Sequence, residues 1–317
     1  MTPTPPTPVL FDAPVKSAPK LTESAVASSA VLPFHITSVT TRFDHLNMII
    51  YGTAGAGKTT LAATAADVPE MSDVLLLDIE AGSLTIQNNK RVKHKEKIDK
   101  VRISSYKQLA EVHKFLQAHC RLRDDLSAEG ILKLRKLQAK FTQVNEADIQ
   151  EPRRYRTVII DSLSELDQLC LYELMGLSTD MDLKEAMNDG EVDVAQFAEF
   201  RKNNQIMQLI TRAYRDLPIN ALMTCHAAYI QDEQKRMFFS PSLTGKLKGQ
   251  IQGFVDLVGY LQVGSLLEGK QEAPRRMYLQ PVGKFDAKSR LAGFNVSYLD
   301  NPFMNDVWNE LLKVSKA

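Results

Sequence analysis

Asn47-Met-Ile-Ile-Tyr51-Gly52-Thr53-Ala54-Gly55-Ala56-Gly57-Lys58-Thr59-Thr60 is the stretch that decides the fold. From Gly52 it fits the spacing G-x-x-x-x-G-K-[ST]. It lies between a short apolar run that predicts a strand and the run Leu61 to Ala66 that opens a predicted helix, the context this pattern requires. Glycines let the backbone curl so that successive N–H groups face phosphate oxygens, and the start of the helix adds the positive end of its dipole. Gly52, Thr53, Ala54, Gly55, Ala56, Gly57, Lys58, Thr59 and Thr60 are therefore expected to hold the phosphates of a nucleotide. Lys58 would reach the β- and γ-phosphates, the Thr59 hydroxyl would bind Mg²⁺, and Thr60 would lie near the α-phosphate.

Outward from this loop, apolar runs and amphipathic stretches alternate, the signature of βαβ units and a mainly parallel sheet flanked by helices. Val74-Leu-Leu-Leu-Asp78 reads as a buried strand and Val101 to Ile103 as a third. Ser104 and Ser105 read as caps of a helix with Leu109, Val112 and Leu116 on one face. Val158-Ile-Ile160 is a strand ending at Asp161, and Ser162-x-x-Glu165 is a capping-box pattern. Asp193 to Leu217 predicts a helix stopped by Pro218, and Asn220 to Cys225 a strand ending at His226, with a polar segment from there to about Gln252. Phe254 to Val263 and Met277 to Val282 read as an antiparallel pair at the sheet edge near the C-terminus, and Asn305 to Lys316 as a terminal amphipathic helix. Residues 1–33, rich in Pro, Thr, Ser and Ala, read as a disordered tail ahead of an α/β domain over 34–317. The charged stretch 121–156 reads as a helical insertion outside the sheet.

The 317 residues are 44% hydrophobic and 24% charged, ordinary for a globular chain with a real core. No run of about 18 apolar residues is present to span a bilayer, and the N-terminus lacks the basic-then-apolar order of a secretory signal, so a cytoplasmic protein is expected. Cys120, Cys170 and Cys225 are widely separated and in no CxxC spacing, which points away from a disulfide framework and from a zinc site. The net charge of +1 conceals polarity: Lys90 to Arg156 carries 18 basic and 9 acidic residues, Asp161 to Phe200 carries 1 and 11, and Gln234 to Arg290 carries 10 and 4. Basic stretches of this kind suit a polyanion such as nucleic acid, and equally suit solvated helix faces.

Tyr155 to Asp161 is an apolar strand ending in a carboxylate that can hold Mg²⁺ together with Thr59. The next residue is Ser162 and not a glutamate, so a carboxylate that activates water has to come from elsewhere. With the glycine loop, Leu75-Leu-Leu-Asp-Ile-Glu80, Val158-Ile-Ile-Asp-Ser162 and a strand ending at His226 in this order, the chain resembles the RecA-family ATPases. That resemblance implies a RecA-like P-loop NTPase core that uses ATP and Mg²⁺. It implies Glu80 as the residue that activates the attacking water, with a turn-binding carboxylate before Gly82 as the alternative. It also implies His226 as a sensor of the γ-phosphate coupled to DNA-binding loops, with a plain hydrogen-bonded histidine as the alternative.

More narrowly, Asp78-x-Glu80-x-Gly82, Asp161-Ser-Leu-Ser-Glu165, Gly245-Lys-x-x-Gly249 before Asp256, and Ala287-Lys-Ser-Arg290 resemble phage-encoded Sak-type single-strand-annealing ATPases. This likeness runs from about Phe43 to Arg290 and does not extend to the tail or to the stretch 121–156. The family further implies a basic residue supplied by a neighbouring subunit. Lys284, Lys288 and Arg290 fit that position, which implies a homo-oligomer, ring or filament. Gln231 to Gly249 combines Lys235, Arg236, Lys246 and Lys248 with Phe238 and Phe239, the mixture that single-stranded DNA binders use, although phenylalanines packed on a core would read the same.

The function expected is an ATP-dependent, single-stranded-DNA-binding recombination protein that promotes annealing or strand exchange. It would act in a host cytoplasm if phage-encoded, with a single-strand-binding protein or a helicase as further partners. A helicase loader or DNA-remodelling motor, and an annealing protein that uses ATP only as an assembly ligand, are the alternatives. A GTPase is disfavoured because no N-K-x-D segment is present.

Overall fold

A computed structural model describes residues 44–142, 144–177, 195–231, 235, 237–266 and 272–314. The tail expected over 1–33 and Arg236 lie outside the described residues. The strands are β1 (Asn47–Gly52), β2 (Val74–Asp78), β3 (Ile98–Arg102), β4 (Thr157–Asp161), β5 (Asn220–Gln231), β6 (Met237–Pro241), β7 (Leu257–Val263), β8 (Arg275–Tyr278), β9 (Lys288–Ser289) and β10 (Tyr298–Asp300). The helices are α1 (Lys58–Ala63), α2 (Leu84–Gln87), α3 (Tyr106–Leu122), α4 (Ala128–Ala139), α5 (Leu163–Leu174), α6 (Phe197–Arg215), α7 (Leu247–Gln252) and α8 (Met304–Val314).

Among the described residues the strands form one sheet in the order β10-β8-β7-β1-β5-β4-β2-β3, with β6 added to β5 and β9 to β7. The run from β7 to β3 is parallel, and β8, β9 and β10 join antiparallel near the C-terminus. This is the expected α/β class, with a mainly parallel sheet, flanking helices and antiparallel edge strands near the C-terminus.

Burial explains why the central strands read as continuous apolar runs. Every residue of β1, β2 and β4 is buried, because helices cover both faces of a parallel sheet. Alternate side chains then divide between two cores. Ile49, Leu75, Leu77, Val158 and Ile160 join Leu116, Leu166 and Met207 on one face. Met48, Ile50, Leu76 and Ile159 join Leu61, Ala62, Met304 and Trp308 on the other. Helix starts follow the predicted cap chemistry, with the Ser105 side chain accepting from Gln108 N and that of Ser162 from Glu165 N.

The structure corrects the sequence reading beyond His226. β5 does not stop there but continues to Gln231, because Ala227–Gln231 pair antiparallel with Met237–Pro241 of β6. The segment read as polar to about Gln252 therefore holds a strand and the helix α7. Between residues 121 and 156 the chain forms the end of α3, then α4 and a 3₁₀ turn at Glu146–Asp148. Among the described residues no helix is long and apolar enough to cross a membrane.

His119 on α3 is wholly buried, with Nε2 bonded to the Arg153 carbonyl at 3.1 Å and Nδ1 without a hydrogen-bond partner among the described residues. Protonation would place an unpaired N–H in the core, and burial accordingly lowers its pKa to about 4 from 6.5. Because the folded value is depressed, the unfolded chain binds more protons between these limits. Stability is then full above about pH 6.5 and falls by about 3 kcal/mol towards pH 4. Urea unfolding of wild type and His119→Gln across that range checks this: the variant should lose that part of the pH slope, and an identical slope in both would contradict it.

Candidate nucleotide and metal site

The loop after β1 is shaped by its glycines. Gly55 and Gly57 hold φ of +73° and +94°, the left-handed region where a side chain is strained. Gly52 has no room for a Cβ, which would lie 2.4 Å from the Leu261 carbonyl oxygen. Lys58 at the start of α1 is buried, 6% exposed, and its Nζ donates to the Gly52 and Thr53 carbonyls at 3.2 and 3.1 Å. Burial lowers its pKa, and the nearby carboxylates of Glu80 and Asp161 oppose that shift.

Thr59 and Asp161 meet. The Thr59 hydroxyl lies 2.9 and 3.1 Å from the two carboxylate oxygens of Asp161, and the Thr224 hydroxyl of β5 donates to Oδ1 of the same group. Asp161 is wholly buried, and desolvation raises its pKa against the pull of these two hydroxyls. Its main-chain carbonyl accepts from Ile79 N at 2.8 Å and Glu80 N at 3.1 Å, which fixes the turn that follows β2. Asp78 steadies the same turn by accepting from Gly82 N at 3.0 Å. A Cβ on Gly82 would sit 3.3 Å from Asp161 Oδ2 and 4.0 Å from the Thr59 hydroxyl, so the space beside this pair is kept by a glycine.

A hydroxyl and a carboxylate at that spacing are hard oxygen donors of the kind Mg²⁺ takes, in the number it takes when phosphates and water complete its shell. Among the described residues no group of three or more His, Cys, Asp or Glu side chains could hold a metal ion without such help. The residues present thus fit a magnesium ion that arrives with a nucleotide.

Glu80 follows β2 and His226 lies in β5, whose register puts it opposite Gly52. The two side chains meet at 3.2 Å, Nε2 to Oε1, and both are partly exposed. The structure therefore brings together Lys58, Thr59, Asp161, Glu80 and His226 from four separate parts of the chain.

The other predicted residues lie elsewhere. Lys288 of β9 pairs with Val258 at the start of β7, the end of the sheet away from the loop. Arg290 donates to the Gly253 carbonyl at 2.8 Å, and Lys284 is exposed. Among the described residues none of these three side chains hydrogen-bonds to the loop. Lys235 follows β5, and Lys246 caps α7 with Lys248 in its first turn. Phe239 of β6 is stacked on Tyr260 and Phe285 at ring distances of 5.4 and 6.0 Å, while Phe238 is half-buried beside it in β6.

Sequence reasoning missed Thr224, Asn89, Arg91 and Arg275, and singled out Gly82 only as part of the Asp78 to Gly82 motif. Arg275, from β8, lies against the loop, with Nε donating to the Ala56 carbonyl at 3.1 Å. The Asn89 amide donates to the Thr60 hydroxyl at 3.2 Å. Only Thr224, a polar residue in an apolar strand near the expected sensor, carried a local signal.

Gly82→Ala puts a methyl group beside the Asp161 carboxylate. In equilibrium binding, the magnesium concentration needed for half-maximal tightening of nucleotide binding should rise several-fold, with metal-free nucleotide affinity unchanged. An unaltered magnesium dependence would contradict the assignment of this space to the ion.

No curated protein matches the sequence. A solved structure described as the RadB recombinase is similar at 13% identity with a TM-score of 0.34, covering 75% of this chain and 84% of that one. A likeness at that level adds nothing to what the strand order already gives. A family model described as an AAA domain matches residues 44–291, a span that takes in the glycine loop, Glu80, Asp161 and His226. The chain belongs to this AAA domain family.

Proposed function

We propose that the protein is an ATP-hydrolysing, single-stranded-DNA-dependent recombination protein, promoting annealing or strand exchange and assembling as a ring or filament. The observation that carries this reading is the contact between Glu80 and His226, 3.2 Å apart, beside the Thr59 and Asp161 pair. A carboxylate next to a phosphate and metal site, held by a histidine on a strand that runs on into a hairpin, links hydrolysis to a surface beyond it.

The loop from Gly52 to Thr60 binds the triphosphate through main-chain N–H groups, and Lys58 leaves the Gly52 and Thr53 carbonyls to reach the β- and γ-phosphates. Thr59 and Asp161 would hold a magnesium ion, which would neutralise phosphate charge. Glu80 takes the proton of a water whose oxygen forms the new bond to the γ-phosphorus while the bond to the bridging oxygen breaks, leaving ADP and phosphate. His226 orients Glu80 and follows the presence of the γ-phosphate. Lys284, Lys288 or Arg290 of a neighbouring copy supplies the remaining positive charge.

Single-stranded DNA is taken by the hairpin of β5 and β6 and by α7, through Lys235, Arg236, Lys246 and Lys248 with Phe238. Phe239 is already stacked on neighbouring rings and serves the hairpin's footing. A cytoplasmic setting, phage origin of the Sak type, and a single-strand-binding protein or helicase as further partner belong to the same reading. They rest on the motif resemblance.

Phosphate release from ATP, with and without single-stranded DNA, tests it. Wild type should be stimulated by DNA, Lys58→Ala should be inactive, and Glu80→Gln should bind ATP with turnover lowered about 100-fold or more. Turnover in wild type no higher than in Lys58→Ala, with DNA still bound, would overturn the hydrolytic reading in favour of ATP as an assembly ligand.

A further inference from the structure

Resting on the reading that Lys246 and Lys248 take single-stranded DNA, we infer that Asp167 is the residue that positions them. Its buried carboxylate fixes the turn at Thr244, from which α7 starts.

Ser164 and Asp167 are three positions apart on α5, a spacing that puts them on one face of the helix. That face grips the chain where it leaves β6. The Ser164 hydroxyl donates to the Ser242 carbonyl at 2.9 Å. Two residues on, the Thr244 N–H donates to Asp167 Oδ2 at 2.7 Å, and the Thr244 hydroxyl donates to Oδ1 at 3.2 Å. Gly245 then turns the chain at a φ of +53°, and Lys246 caps α7. Leu247 N returns a bond to the Thr244 carbonyl at 3.1 Å, and the Leu247 side chain is wholly buried. Thr244 is thus the point at which the core holds the chain just ahead of the two lysines.

A carboxylate in this place is a costly choice. Asp167 is 1% exposed, and among the described residues its partners are neutral: Thr244, and the Asn203 amide of α6, which donates to Oδ1 at 2.7 Å. Burial of a charge with no cation beside it is unfavourable, and desolvation raises the Asp167 pKa against these bonds. In return, hydrogen bonds to a charged acceptor are shorter and stronger than neutral ones, so the turn is held more firmly than a neutral side chain would hold it. Asn203 shows which group dictates the arrangement. Its NH₂ faces Asp167, and its Oδ1 is left buried with no hydrogen-bond partner among the described residues. The hydrogen bonds of Asp167 go to Thr244 and Asn203, and none to Lys58, Thr59, Glu80, Asp161 or His226. Grip on the turn is therefore separable from ATP chemistry.

ATP turnover titrated with oligothymidylate, together with hydrogen exchange read by mass spectrometry, tests this. Asp167→Ala should raise the DNA concentration for half-maximal stimulation about tenfold, the loss expected for a hydrogen bond to a charged group, and leave DNA-free and DNA-saturated turnover within about twofold. Exchange should speed up over residues 242–252 while β1 and β4 stay protected. Asp167→Asn should recover most of the DNA affinity, because its one amide oxygen can accept from Thr244 N and Asn203 can turn over to accept from its NH₂. Asp167→Ser, with one short hydroxyl in place of two oxygens, should behave like the alanine variant and replaces it where that variant does not fold. Unchanged half-saturation in the folded alanine or serine variant overturns the inference, as does an asparagine variant no better than either. If DNA fails to stimulate wild type, or if Lys246→Ala with Lys248→Ala leaves half-saturation unchanged, the assignment of DNA to α7 falls instead.

Discussion

The carboxylate of Asp161 is wholly buried, and the site is arranged around making a charge there tolerable. A carboxylate taken out of water is costly unless hydrogen-bonded and matched by positive charge. Two threonine hydroxyls, from α1 and β5, approach it, and the turn after β2 binds its carbonyl. The positive charge has to come from Lys58 and an ion. Since the partners sit at positions 59, 79–80, 161 and 224, the site exists only when β1, β2, β4 and β5 have already assembled.

Strand order gives this arrangement its second property. β5 lies between the strand that feeds the glycine loop and the strand that ends at Asp161. It therefore touches both halves of the site, through Thr224 on Asp161 and His226 on Glu80. Beyond His226 the same strand enters the hairpin with β6. The Ser164 hydroxyl accepts from His226 N and donates to the Ser242 carbonyl, and Ser242 N returns a bond to the His226 carbonyl. On the proposed reading, a displacement of His226 by the γ-phosphate passes along β5 to its pairing with β6.

Legibility in the sequence followed the range of the constraint. Glycines needed for positive φ, Lys58 and Thr59 are fixed by local chemistry, so their spacing reads directly. Strands buried on both faces read as apolar runs, which gave β1, β2 and β4 and with them the sheet. The overrun of β5 was hidden because Ala227-Ala-Tyr-Ile-Gln231 is held by pairing with β6 and carries no stop signal. Arg275 was invisible for a similar reason: it lies 219 positions from Ala56, and only the placement of β8 beside β7 brings it to the loop. Phe239 looked like a base-stacking ring because composition does not distinguish an exposed ring from one stacked on Tyr260.

The central claim is that Thr59 and Asp161 form one metal site completed by nucleotide phosphates. Electron–nuclear double resonance on protein loaded with Mn²⁺ and ATP tests it most directly. The account predicts, in protein carrying ¹³C-labelled threonine, carbon couplings alongside the phosphorus couplings of bound ATP in wild type, with the carbon couplings lost when Asp161 is replaced by Asn and Thr59 by Val together. The same carbon couplings, at undiminished intensity in that double variant, would show that the ion is held elsewhere and contradict the account.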